Sequence, residues 1–260
     1  RVPYSAWTLV DPMLTNALWA IRDDGVHREC STDYHCIVLR SLLGAIACAR
    51  RFDIAVPAPL RERADRACDF ALHIQRPDGT TPAFSDGDEG DFRSLLELGS
   101  DLLGRPDLLW AATAGRRGTP PPRRMATFPL GGYATQRSGW GEGARDYAHE
   151  RLAILDCGPL GDGGHGHYDQ LSVELVGGGR TLVVDPGRFT YADDEMGWRH
   201  WFKGTAAHNT VCVDGLDQTP YRPGKPKGPT SSARLVGRTH TEAIDQAYVG
   251  ARLDELAKNE

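Results

Sequence analysis

Gly115 to Pro122, GRRGTPPP, separates two halves of the chain whose apolar patterns have different periods. Glycine and proline at that density break both helices and strand ladders. Ahead of the break, apolar residues recur at three and four, as on a helix. Trp7, Val10, Leu14, Leu18 and Ile21 form one such stripe, and Asp11-Pro12 reads as a cap and first helical position. Two helices are therefore predicted to meet there. Ser31-Thr32-Asp33 supplies N-cap candidates for a long helix to about Arg51, and residues 37–49, IVLRSLLGAIACA, are apolar nearly all round. Such a helix is expected to be buried on several sides. Pro59 opens another helix, with Leu60, Ala64, Ala67, Ala71 and Ile74 on one stripe, stopped by Pro77-Asp78-Gly79. Helices over about 92–103 and 108–113 complete a set that suggests stacked helical hairpins.

Behind the break come short alternating runs rich in β-branched residues: 132–136, 150–156, 171–176, 181–185, 210–214 and 233–236. Gly177-Gly178-Gly179 between two of them signals a hairpin. The expected fold class is α+β, with a helical module over 1–117 and an antiparallel β-sandwich over 118–260. With no obvious closing strand before Glu260, the sandwich is expected to be truncated there.

The charge balance excludes little but directs the search. A net charge of −5 gives no global attraction to polyanions, so nucleic acid is disfavoured as a partner, although a local basic groove could hold an acidic substrate. No apolar run approaches the roughly 18–20 residues of a membrane-spanning helix. Six cysteines show no CxxC spacing, which argues against a disulfide framework. No signal peptide is visible at Arg1-Val2-Pro3.

Chemistry concentrates in Gly158 to Asp169, GPLGDGGHGHYD, where a glycine-rich approach presents His165 and His167 just before an apolar run. Asp185 closes a later strand, and His208 follows in TAAHN. His167, Asp185 and His208 brought together would suit zinc, leaving His165 for proton transfer. Simple hairpin pairing about Gly178 places Asp185 opposite Leu171, over about 10 Å from His167 on straight strands. The glycine-flanked segment must then curl back, or Asp169 must substitute; separate loop histidines bonded to backbone would also fit. Tyr34 and His35 fall in the first turn of the long helix, whose positive end favours a phenolate by up to about 1 kcal/mol. On composition alone the better fit is Tyr34 packed on the preceding loop, with His35 a capped surface residue. Asp86 to Asp91, DGDEGD, lacks the glycine that an EF-hand needs at its sixth position and reads as an acidic loop.

Together these stretches resemble the heparinase II/III-like polysaccharide lyases over about residues 25–220. Glu29 to His35, ECSTDYH, is similar to the family's Glu-x-Ser-x-x-Tyr-His helix start. Matches follow at Pro77-Asp78-Gly79, Ser85 to Asp88 and Gly158 to Gly161, and are densest at HGHYDQLS (165–172), Asp185-Pro186-Gly187, Tyr191 and Trp198-Arg199 through Gly215. The resemblance implies the end of an α/α-toroid followed by the start of a β-sandwich, with a cleft between them that cleaves uronic-acid polysaccharide by β-elimination. By motif, Tyr34 is implied as base and acid and His165 as a second proton-transfer or neutralising group. His35 is implied as a further catalytic position, Arg199 and Glu29 as substrate-binding, and His167, Asp185 and His208 as ligands of a structural zinc. The family's carboxylate-neutralising Asn or His lies on an earlier helix. Asn16, the sole asparagine ahead of Tyr34, has no motif around it. An inactive carbohydrate-binding homologue or fragment, and a zinc-dependent hydrolase, remain alternatives. A periplasmic or extracellular location is expected of such a protein.

Overall fold

A computed structural model describes residues 5–192, 195–220, 232–240 and 245–252. Helices come first: α1 (Ser5–Ala20), α2 (Thr32–Arg51), α3 (Ala58–Ile74), α4 (Arg93–Leu103) and α5 (Pro106–Ala112). A five-stranded antiparallel sheet follows in simple sequential order, from β1 (Met125–Phe128) and β2 (Tyr133–Arg137) through β3 (Leu152–Asp156) and β4 (Ser172–Gly177) to β5 (Arg180–Val183). A short helix α6 (Trp198–Lys203) lies beyond it, and β6 (Ser232–His240) pairs with β7 (Asp245–Arg252) in a separate two-stranded ribbon.

Three expectations are corrected. The stripe broken at Asp11-Pro12 is one continuous helix with Pro12 inside it. An interior proline removes one amide donor and crowds the carbonyl four residues back, a cost of about 3 kcal/mol that this helix bears without ending. Helix α2 buries a single face through His35, Leu39, Leu42, Leu43 and Ile46, whereas Ile37 is 47% exposed. The run 210–214 is not a strand, because the chain turns at once through Asp214 and Gly215, both at positive φ, and closes only a Val213–Leu216 bridge. The strand β1 and helix α6 had no signal in the apolar pattern.

The helices pack on the sheet through aromatic side chains. Phe70 of α3 meets Phe128 of β1 edge-on at 5.1 Å and lies 5.2 Å from the Tyr133 ring of β2. The Tyr133 hydroxyl crosses the interface to the Cys30 carbonyl at 2.6 Å. A second tie is ionic. Arg76, just past α3, donates two hydrogen bonds of 2.7 and 3.0 Å to Glu174 of β4, and both side chains are buried. These contacts bring the first turn of α2 beside the glycine-rich loop between β3 and β4.

Candidate active site and metal centre

The glycine-rich loop is held against the entry to α2 at several points. Arg28 pairs with Asp162 at 2.9 Å, the Asp162 amide donates to the Arg28 carbonyl at 3.1 Å, and Lys203 of α6 donates to the Gly164 carbonyl at 2.6 Å. Gly161 makes the approach possible. It sits at φ +76°, and a Cβ there would lie 2.4 Å from the Glu29 carbonyl oxygen.

This docking places His165 over Tyr34, with ring centroids 4.2 Å apart. Tyr191 completes a trio, its hydroxyl 3.1 Å from that of Tyr34 and its ring 6.4 Å from His165. Tyr34 and His165 are half-buried and Tyr191 is half-exposed, so the trio is reachable from solvent. Partial burial, then the hydrogen bond to Tyr34, pushes the Tyr191 phenol well above its ordinary pKa and keeps it protonated. Arg188 and Arg199 lie against the Tyr191 ring, 4.3 and 5.1 Å from its centroid. Glu29 Oε2 lies 3.8 Å from His165 Nε2.

Behind His165 stands Asp86, a buried carboxylate that His165 Nδ1 and His167 Nε2 each approach at 2.9 Å. Arg199 grips it from the other side through both terminal nitrogens. Burial would raise the Asp86 pKa, but the bonds from His167 and Arg199 win and hold the carboxyl well below the usual range.

Deeper still, His167, Asp169 and His208 converge, one possible ligand atom from each lying within 4.8 Å of the others. His167 Nδ1, Asp169 Oδ2 and His208 Nε2 are buried without hydrogen-bond partners. Orphaned buried polar atoms cost free energy unless something satisfies them, and two imidazole nitrogens with a carboxylate oxygen form a set suited to a divalent metal ion. The residues present fit such an ion. His208 Nδ1 is bound to Asp185 Oδ2 at 2.8 Å, a carboxylate behind a histidine of the kind that orients metal ligands. In the metal-free protein burial alone would depress His208, but Asp185 and Asp169 outweigh it and raise its pKa to about 9.

The structure thus brings Tyr34, His165, Glu29 and Arg199 into one neighbourhood, and His167 and His208 into another directly behind it. Two expectations need correction. His35 does not join the site: one residue on from Tyr34 is about 100° round the helix, and its ring is buried on Phe70 with Nε2 on the Ala67 carbonyl at 3.1 Å. Burial holds its pKa down at about 3. Asp185, expected as a ligand, faces His208, and the carboxylate in the converging group is Asp169. The chain makes a tight turn between Asp169 and β4, with Leu171 at φ 72° and the Ser172 amide on the Asp169 carbonyl at 2.9 Å, so the straight-strand spacing does not apply to this segment. Arg199 is committed to Asp86, and Asn16 lies exposed on α1.

Asp86 and Tyr191 both fell within stretches matched to the family, but neither was given a role: Asp86 sat within an acidic run that reads as solvated, with only the apolar Pro82-Ala83-Phe84 ahead of it to suggest burial. Among the described residues no helix is long and apolar enough to cross a membrane.

The model of the heparinase II/III N-terminus matches residues 8–100, and that of the heparinase II/III-like C-terminal region matches 120–255. A heparin-sulfate lyase of Pedobacter heparinus is 27% identical over 199 residues, covering 74% of this chain and 29% of that protein. The crystal structure of a heparan sulfate lyase from the same organism superposes with a TM-score of 0.81 at 23% identity, covering 92% of this chain and 36% of that one. A heparinase III structure gives 0.79 at 22% identity, covering 92% and 36%. The chain therefore spans about a third of the length of these relatives. With both family regions matched in order across most of its residues, the chain belongs to the heparinase II/III-like family.

Proposed function

We propose that this chain carries proton-transfer groups of a polysaccharide lyase that cleaves uronic-acid-containing acidic polysaccharide by β-elimination, its helices forming part of an α/α-toroid and its sheet part of a β-sandwich. The solvent-reachable trio of Tyr34, Tyr191 and His165 is the observation that carries this reading. In such a reaction a base removes the proton beside the uronate carboxylate, the bond to the glycosidic oxygen breaks, and that oxygen takes up a proton. Tyr34 Oη serves as base and then acid. Tyr191, kept protonated, donates to Tyr34 Oη and stabilises the phenolate form. His165 Nε2 offers a second proton-transfer or neutralising group. Glu29 and Arg199 support this from opposite sides, Glu29 facing His165 Nε2 and Arg199 clamping Asp86 behind the ring, so both shape the binding surface through their neighbours.

His167, Asp169 and His208 would hold a structural zinc, with Asp185 orienting His208. When bound, the ion would tie the glycine-rich loop to the segment after α6 and so steady the His165 loop. Such an enzyme would meet its polymer in the periplasm or outside the cell. The test is product formation by the intact protein on a panel of uronate polymers, read as the unsaturated product absorbing in the near ultraviolet. Tyr34→Phe should lower turnover about a thousandfold or more, from loss of general acid–base and associated stabilisation. Glycan binding with no product, indifferent to Tyr34→Phe, would refute the lyase reading in favour of a binding homologue.

A further inference from the structure

We propose that Asp86 is a positioning residue whose single carboxylate fixes the tautomers of both His165 and His167. The geometry is specific. Asp86 Oδ2 meets His165 Nδ1 and one Arg199 nitrogen, while Oδ1 meets His167 Nε2 and the other Arg199 nitrogen. The Asp86 side chain is 1% exposed, so water does not compete for these bonds. Its backbone joins in, the Asp86 amide donating to the His165 carbonyl at 3.0 Å. The loop has little room to shift, because a Cβ on Gly87 would lie 2.7 Å from Thr32 Oγ1 and 2.8 Å from the Phe84 carbonyl oxygen.

A carboxylate paired with arginine only accepts hydrogen bonds. Each imidazole must therefore present an N–H to it: Nδ1–H from His165 and Nε2–H from His167. The two rings are thereby set in opposite tautomers. In the neutral ring the other nitrogen of His165, Nε2, carries the lone pair on the side away from Asp86, where Glu29 Oε2 stands 3.8 Å off. His167 keeps its Nδ1 lone pair, the atom left without a partner beside His208. One residue thus links proton transfer at His165 to the donor set behind it, and its consequence for turnover rests on the lyase reading.

Histidine tautomers are read directly from two-bond proton–nitrogen correlations on ¹⁵N-histidine-labelled, metal-free protein, assigned with His165→Gln. The expected spectrum shows His165 protonated at Nδ1 and His167 at Nε2. In Asp86→Asn the amide keeps one accepting oxygen and gains an N–H donor, so at least one of the two imidazoles should change tautomer. In the intact enzyme kcat should fall about a hundredfold or more while KM stays within about twofold, because Asp86 acts through its neighbours. The opposite tautomer at either histidine in the wild-type protein overturns the proposal even if Asp86→Asn fails to fold. Unchanged tautomers in a folded Asp86→Asn, or kcat within threefold of wild type, overturn it as well. A wild-type protein that cuts no uronate polymer would sink the proposed function, while the spectra would still decide the tautomers.

Discussion

Glu174→Leu severs the ionic tie that joins the helical half to the sheet. Glu174 is fully buried and Arg76 is 2% exposed, and two hydrogen bonds of 2.7 and 3.0 Å join them. Leucine fills much of the same volume but leaves the guanidinium without its counter-charge. Removing one member of a buried pair costs about 3–5 kcal/mol, most of it the penalty of the stranded charge. Thr80 Oγ1 at 3.1 Å remains, as does Glu89 at 3.6 Å, but Glu89 is 63% exposed and offsets little. At about 2–4 °C per kcal/mol for a domain of this size, the melting temperature should drop by roughly 6–20 °C. The damage should spread toward the group of His167, Asp169 and His208, because the Asp185 amide points at Glu174 Oε2 at 3.5 Å and Asp185 in turn holds His208. Urea unfolding followed by circular dichroism, with Arg76→Met and the double substitution alongside, separates the causes. If the stranded charge is the reason, the double variant recovers at least half of the loss. A single-variant cost below about 1 kcal/mol, or a double-variant cost equal to the sum of the singles, would refute the reasoning.

Tyr191→Phe deletes the hydroxyl 3.1 Å from Tyr34 and should lower kcat about a hundredfold, as loss of one preorganised donor does, with KM little changed in steady-state assays. His208→Ala should abolish stoichiometric metal measured by elemental analysis. Chelation should lower the melting temperature, Asp169→Asn should lose the ion, and Asp185→Asn should weaken its binding about 10–100-fold. Acid should destabilise the fold through His27, His35 and His73, which burial holds neutral with pKa values depressed to about 4, 3 and 3. Between those values and the ordinary 6.5 only the unfolded chain takes up these protons, so stability falls as the pH drops from about 6.5 toward 4. Each histidine accounts for roughly 2 kcal/mol at pH 5, measurable as a shift in the urea midpoint. The raised pKa of His208 acts in the opposite sense, but its contribution is fully present below pH 6.5 and leaves that slope unchanged.

What could be read along the chain was whatever depends on near neighbours. The stripes of α2 and α3 and the glycine hairpin between β4 and β5 are set by residues three, four or two apart, and these elements form where the periods place them. The site obeys longer rules. Tyr34 and His35 are adjacent in the motif, yet the helix turns one to the trio and the other to the core, so chain adjacency was a poor guide to spatial adjacency. Asp86 meets partners 79 and 113 residues away, and nothing in DGDEGD separates a clamped carboxylate from its three exposed acidic neighbours. The exchange between Asp169 and Asp185 has a similar origin. Straight-strand arithmetic placed Asp185 too far from His167, but the chain before β4 is not straight: Leu171, a residue type that rarely adopts positive φ, sits at φ 72°. Such a conformation persists only where surrounding contacts impose it, here the Leu171 amide on the Asp156 carbonyl and the Ser172 amide on the Asp169 carbonyl. The strained turn and the orphaned donors lie within five residues of one another in sequence on one side of the centre. The backbone is thus held in a costly shape two residues after Asp169, beside buried His167 and Asp169, whose atoms converge with those of His208.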